Sequence, residues 1–170
     1  MTVQILGKCL LLLGCAAWGA RRAFQLKKRV QCLRDVVTAL EILERELTFS
    51  LLPVSELLGR AAEGTRGEVQ CFFDACRKMF ATQTEESRAC LWRHCMKQAN
   101  LPLKAEDTAV LMEAGEILGR YDEDNQKAAL ERLRGRLEEN LRRAREEAER
   151  LGRVYGTLGM TAGLFFWILL

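Results

Sequence analysis

Apolar positions recur every three or four residues through most of this chain, and no stretch alternates apolar and polar as a half-buried strand would. The pattern predicts helices throughout. Leu26, Leu33, Leu40 and Leu47 stand seven apart with Val30 and Val37 between them, which predicts a helix with one buried seam. An apolar stretch leads directly into that seam, so one helix is expected from about Val3 to about Phe49. Its length would be roughly 70 Å at a rise of ~1.5 Å per residue. The seam suits a dimeric coiled coil or packing within the chain's own bundle; the charge of Glu44 on the seam favours the bundle.

Ser50-Leu51-Leu52-Pro53 breaks the first helix, and Pro53 suits the first turn of a second, VSELLGRAAE, that ends at Gly64. A third helix is expected over Gly67–Phe80, with Val69, Phe72, Phe73, Cys76 and Phe80 inward. Thr82-x-x-Glu85 reads as a capping box opening a fourth helix to about Ala99, and Asn100-Leu101-Pro102 ends it. A fifth helix is expected over Lys104–Leu118, with Leu111, Ala114, Ile117 and Leu118 on one face and Gly119 closing it. Asp122 then caps a sixth helix. Its stripe of Leu130, Leu133, Leu137, Leu141, Ala144, Ala148, Leu151, Tyr155 and Leu158 steps by three or four without a break. Asp107, Asp122 and Asp124 read as helix-start residues rather than as acid–base groups.

The two ends change the picture. Val3–Ala20 carries Lys8 as its single charge, and Val154–Leu170 carries none. A helix needs about 20 apolar residues to cross a bilayer, so both ends are candidate membrane spans. Arg21, Arg22, Lys27, Lys28 and Arg29 follow the first, and Arg142, Arg143, Arg145, Arg150 and Arg153 precede the second. Basic residues near span ends stay on the cytoplasmic side. The expectation is residues 1–20 as one membrane helix, 21–153 as a cytoplasmic bundle, and 154–170 as the second membrane helix, with both termini outside. Trp18 and Tyr155 would lie at the inner interface and Trp167 at the outer one, and Lys8 would snorkel. Leu12-Leu13-Gly14-Cys15 loosely fits a lipoprotein cleavage box instead. The apolar stretch between Lys8 and Cys15 is only six residues, short for a signal peptide, and the start left after cleavage would be basic.

The formal net charge is +3, and the excess lies just after the first apolar stretch, where it suits anionic headgroups or serves as a plain topology signal. No basic stripe with interleaved aromatics appears, so a nucleic-acid partner is not expected. Seven cysteines, without a C-x-x-C, are expected to be reduced packing residues in a cytoplasmic domain. The alternative is a metal site or thiol enzyme built from Cys71, Cys76, Cys90, Cys95 and the single His94. Cys90 and His94 share a helix face, but the members of each Cys-x4-Cys pair stand five positions apart and do not converge. No phosphate-binding loop and no nucleophile with its base can be found, so no catalytic, cofactor-binding or metal-ligating residue is assigned and no small-molecule substrate is expected. Gly152, Gly156, Gly159 and Gly163 form a small-residue face suited to close helix packing in lipid, against the first span or another protein.

One further pattern is more specific: Leu103-x3-Asp107-x3-Leu111-x3-Gly115-x2-Leu118-Gly119-x2-Asp122-x3-Gln126. With Leu43–Ala62 (LERELTFSLLPVSELLGRAA) and the closing Tyr155-x2-Leu158-Gly159 before an apolar tail, it resembles the stage III sporulation protein AB family of endospore-forming bacteria. The chain departs from the family at Leu52-Pro53-Val54, where a Thr-Pro-Leu is usual, and in its richness in cysteine. The resemblance implies a domain similar to the F-type inner-membrane platform domain of type II secretion and type IV pilus systems. It implies a non-enzymatic platform in the mother-cell membrane around the forespore. That platform would couple a cytoplasmic secretion-type ATPase, stage III sporulation protein AA, to a channel or pseudopilus-like assembly within a larger membrane complex. The turns holding Pro53, and Asp122 with Gln126, are the candidate partner-binding sites. The competing reading makes Asp122 a helix cap with Gln126 tying the preceding turn to it. A membrane-tethered scaffold or signalling module unrelated to secretion is the alternative function.

Overall fold

The computed structural model describes the backbone of residues 2–49, 52–82, 87–120 and 123–169, with side chains for 14, 17–47, 52–82, 87–118, 126–154, 157 and 161. Every element among them is a helix: α1 (Thr2–Phe49), α2 (Val54–Glu63), α3 (Gly67–Thr82), α4 (Arg88–Gln98), α5 (Ala105–Arg120) and α6 (Glu123–Leu169). The chain divides into two units. One is a bundle of residues Gln31–Leu141; the other joins Met1–Val30 with Arg142–Leu170.

Short helices of the bundle begin and end where local chemistry dictates. Pro53 is the N-cap of α2, one position before the first turn that the sequence suggested for it. Its carbonyl accepts from the Glu56 and Leu57 amides at 2.9 and 3.1 Å. Proline loses nothing there, since an amide at a helix start has no partner within the helix. Between α2 and α3 the buried Thr65 hydroxyl donates to the carbonyls of Ala61 and Ala62 at 3.0 and 3.2 Å. Gly67 then reverses the chain at φ +59°, a conformation open to residues without a Cβ.

Thr82 does not form the expected capping box. Its hydroxyl turns back to the Lys78 carbonyl at 2.9 Å, which keeps it in the last turn of α3. Ser87 opens α4 instead, through its carbonyl, which accepts from the Cys90 and Leu91 amides at 2.8 and 3.1 Å; no side-chain cap bond forms. Likewise α5 runs to Arg120, so Gly119 falls inside its last turn rather than closing it.

The bundle core is apolar and closely packed. Leu33, Val36, Leu40 and Leu43 of α1 are sealed from solvent. Of the seven-residue seam, Leu33 and Leu40 are thus sealed, whereas Leu26, Val37 and Leu47 are only half-buried. A straight helix drifts by ~20° per heptad against such a repeat, and the buried stripe follows the helix rather than the heptad. Leu57, Leu58, Ala61 and Ala62 of α2 face in, and α2 packs on α3, α3 on α4 and α4 on α5. From α6 the bundle takes Leu130, Leu133, Leu137 and Leu141, as the stripe predicts. Fully burying each such leucine contributes about 1.5–3 kcal/mol before entropy is counted.

Glu44, the charge on the seam, bonds across to α6: Arg134 Nε donates to its Oε2 at 3.0 Å and Arg134 also reaches Glu138 at 2.7 Å. In the second unit Arg29 donates to Glu147 at 3.1 Å, with the Arg29 side chain only 8% exposed. Among the described residues no helix is long and apolar enough to cross a membrane. Most side chains of the two apolar ends lie outside that description.

Candidate functional site

Of the pattern Leu103 to Gln126, Asp107, Leu111, Gly115, Leu118 and Gln126 are buried and Leu103 is half-buried. Leu111, Ala114, Ile117 and Leu118 of α5 are buried, as their spacing predicts. Trp92 of α4 lies against them at 1% exposure, and its Nε1 donates to the Leu111 carbonyl at 2.9 Å. The indole also meets Phe72 and Phe73 of α3 edge to face, with centroids 5.1 and 6.0 Å away. Gly115 is what lets the indole in: a Cβ there would collide with Cβ, Cγ and Cδ1 of Trp92, the first fixed to the backbone and the others held by the indole's packing and its Nε1 bond. Arg88 adds a bond to the Leu118 carbonyl at 3.5 Å. Helical spacing in α4 does not single out Trp92; its role depends on α5 approaching closely.

Asp107 is fully buried. Its Oδ2 accepts from the Lys104 amide at 3.0 Å, which closes the first turn of α5 as a helix-start residue should. Its Oδ1 accepts from Asn140 Nδ2 at 3.0 Å, which ties α5 to α6. Glu113 and Arg136 repeat that link further on at 2.6 Å. Asp107 therefore does two structural jobs, one local and legible, the other made by a distant Asn140 that no spacing points to.

Pro53 is exposed at the start of α2. Gln126 is 9% exposed, and among the described residues no buried side-chain nitrogen or oxygen lacks a hydrogen-bond partner. The structure therefore holds Gln126 inside, with its amide satisfied. Asp122 lies outside the described residues, and α6 begins directly after it at Glu123.

The cysteines separate by face. Cys71 and Cys90 are exposed, whereas Cys32, Cys76 and Cys95 are buried. Packing of α3 on α4 brings Cys76 to Cys95, one from each Cys-x4-Cys pair. The bond that Cys76 gives to the Cys95 sulfur and burial both push its own thiol up. Cys95 Sγ in turn lies 3.3 Å from Met79 Sδ. Burial, and then the charges of Glu68, Asp35 and Asp107, push the Cys32 thiol up to about 12. His94 is exposed and shares a hydrogen bond with Gln98 at 2.8 Å. No group of three or more metal-ligating side chains converges among the described residues. In the second unit a Cβ on Gly152 would meet nothing within 4 Å. The other members of its small-residue face, Gly156, Gly159 and Gly163, have their surroundings outside the described residues.

This architecture defines a class: an all-α protein whose first and last helices are far longer than the rest, with four short helices between them among the described residues. The family model of stage III sporulation protein AB matches residues 4–170, and the chain belongs to that family. A solved structure of stage III sporulation protein AB (SpoIIIAB) is similar, with a TM-score of 0.66 at 24% identity. The match covers 71% of this chain and 96% of that one, and the likeness is one of fold. No curated protein matches.

Proposed function

We propose that this protein is a non-enzymatic membrane platform of a sporulation complex, with its bundle in the mother-cell cytoplasm and both termini across the membrane. In this reading it couples a cytoplasmic secretion-type ATPase, stage III sporulation protein AA, to a channel assembly. Family membership supports the sporulation setting. The observation that carries the rest is that α1 and α6 each contribute buried residues to the bundle and each continue into one of the two apolar ends. Helices of 48 and 47 residues suit a mechanical link between cytoplasm and bilayer better than a freely diffusing domain. The interior of the bundle is consumed by packing, so an ATPase would meet its polar surface and its turns, with Pro53 at one of them.

Two measurements test this. Reporter fusions at Leu170 and near Glu63 should report opposite sides of the membrane; a cytoplasmic signal from the Leu170 fusion removes the two-span topology. The full chain should co-purify with the ATPase. Asp122→Ala then separates interface from cap: lost binding at an unchanged melting temperature makes that turn part of the interface, and the reverse makes it structural.

A further inference from the structure

No acidic residue occurs before Asp35, while Arg21, Arg22, Lys27, Lys28 and Arg29 crowd into nine positions of α1. Arg29 is buried against Glu147. The other four are exposed. Trp18 and Phe24, among the same turns, are each 60% exposed, a costly arrangement for large aromatic side chains in water. Each carries a cation: the Arg22 guanidinium lies 5.6 Å from the Trp18 ring centre, and Lys28 Nζ lies 5.6 Å from that of Phe24. Trp18, Arg21, Arg22 and Gln25 line an open cleft of about 250 Å³. The α6 part of the same unit differs. Its arginines alternate with Glu146, Glu147 and Glu149, and Arg142 already holds Glu146 at 2.7 Å.

We propose that Trp18–Lys28 is a binding site for the headgroups of anionic phospholipids. The charge of this segment is all of one sign and complements a phosphate-bearing surface. A guanidinium stacked on an indole keeps its N–H edge free for a phosphate, which it can hold with two parallel bonds. Trp18 and Phe24 bring apolar faces to the boundary between headgroup and acyl chain, where aromatic rings are favoured. This inference rests on the membrane topology proposed above and adds lipid selectivity to it.

The full chain is reconstituted into vesicles of phosphatidylcholine mixed equally with phosphatidylglycerol, extracted mildly, and the lipids that stay bound are counted by native mass spectrometry. Phosphatidylglycerol should be retained over phosphatidylcholine, and Arg22→Gln should lower that preference by about fivefold, the factor expected per basic side chain at such a surface. The quadruple variant R21Q/R22Q/K27Q/K28Q should abolish it, while Arg21→Lys with Arg22→Lys should keep most of it. Equal retention of both lipids by a chain that resists carbonate extraction overturns the site and leaves the topology standing. A chain that carbonate removes overturns both. Loss of the preference to inorganic phosphate at constant ionic strength would make this a site for free anions, and would also overturn the proposal.

Discussion

At residue scale the bundle is organised around one contact, the indole of Trp92 seated over Gly115. Adding a single methyl group there forces the two helices or the ring to shift, because it would collide with the Cβ stem and the near edge of a fully packed indole. Gly115→Ala should destabilise the bundle by about 1–3 kcal/mol, the usual cost of overpacking, although alanine is the better helix former. A thermal melt followed by circular dichroism checks this; an unchanged or raised melting temperature would disprove the contact. Cys32 gives a second prediction. Its folded thiol holds its proton up to about 12 while an unfolded one releases it near 9.0. The folded state therefore binds more protons between those values, and this contribution to stability is intact below pH 9 and lost as pH rises towards 12. Cys32→Ala should show a smaller drop in melting temperature than the native chain between pH 8 and pH 10.5. Of these residues, Gly115 was legible as part of a pattern and Cys32 as a core filler, whereas Trp92 was not. Its meaning comes from α5, nineteen positions away.

At element scale, the ends of the long helices were readable because a stripe of period 3.6 needs no partner to be seen. The buried face of α5 was readable for the same reason, and the breaks at Pro53 and Pro102 because proline lacks the amide a helix interior needs. What failed was register and capping. Thr82 has the composition of a cap, yet a threonine hydroxyl can bond backward as well as forward, and the sequence does not choose between them. The seam was right at Leu33 and Leu40 and imprecise at its ends, because the buried stripe of a straight helix drifts from a seven-residue repeat. Glu44 argued only against a dimer, when its positive role was to meet Arg134. That pairing is testable by charge exchange. Arg134→Glu should cost about 1.5–3 kcal/mol by setting like charges together in place of a charged hydrogen bond. The double variant Glu44→Arg with Arg134→Glu should recover part of that loss, the remainder being the lost bond to Glu138. No recovery would mean that α1 and α6 do not meet at this register.

At the scale of the whole molecule, the fold and the sporulation family were both legible, since a pattern spread over α5 and the start of α6 carried the resemblance. The candidate site was less so. Gln126, read either as a partner-binding turn residue or as a tie to the preceding turn, is buried, because its position on α6 faces the same interior that the stripe fills. Cys32, Cys76 and Cys95 support packing within the bundle, with Cys76 set against Cys95 between α3 and α4. Replacing all seven by serine or alanine should lower the melting temperature by several degrees and leave co-purification with the ATPase intact. Loss of binding in a chelated native chain, restored by zinc, would instead point to a metal.

The seating of Trp92 also gives the protein a built-in optical gauge. Trp92 is walled by Phe72 and Phe73 and shut off from water, whereas Trp18, in the other unit, is mostly open. The chain has three tryptophans, the third being Trp167. With Trp18 and Trp167 changed to phenylalanine, emission should be blue-shifted and poorly quenched by acrylamide until the bundle opens. With Trp18 alone retained, the colour should follow the surroundings of α1 where the basic residues gather. Two variants of one chain then report separately on an interior and on a surface, without an attached dye.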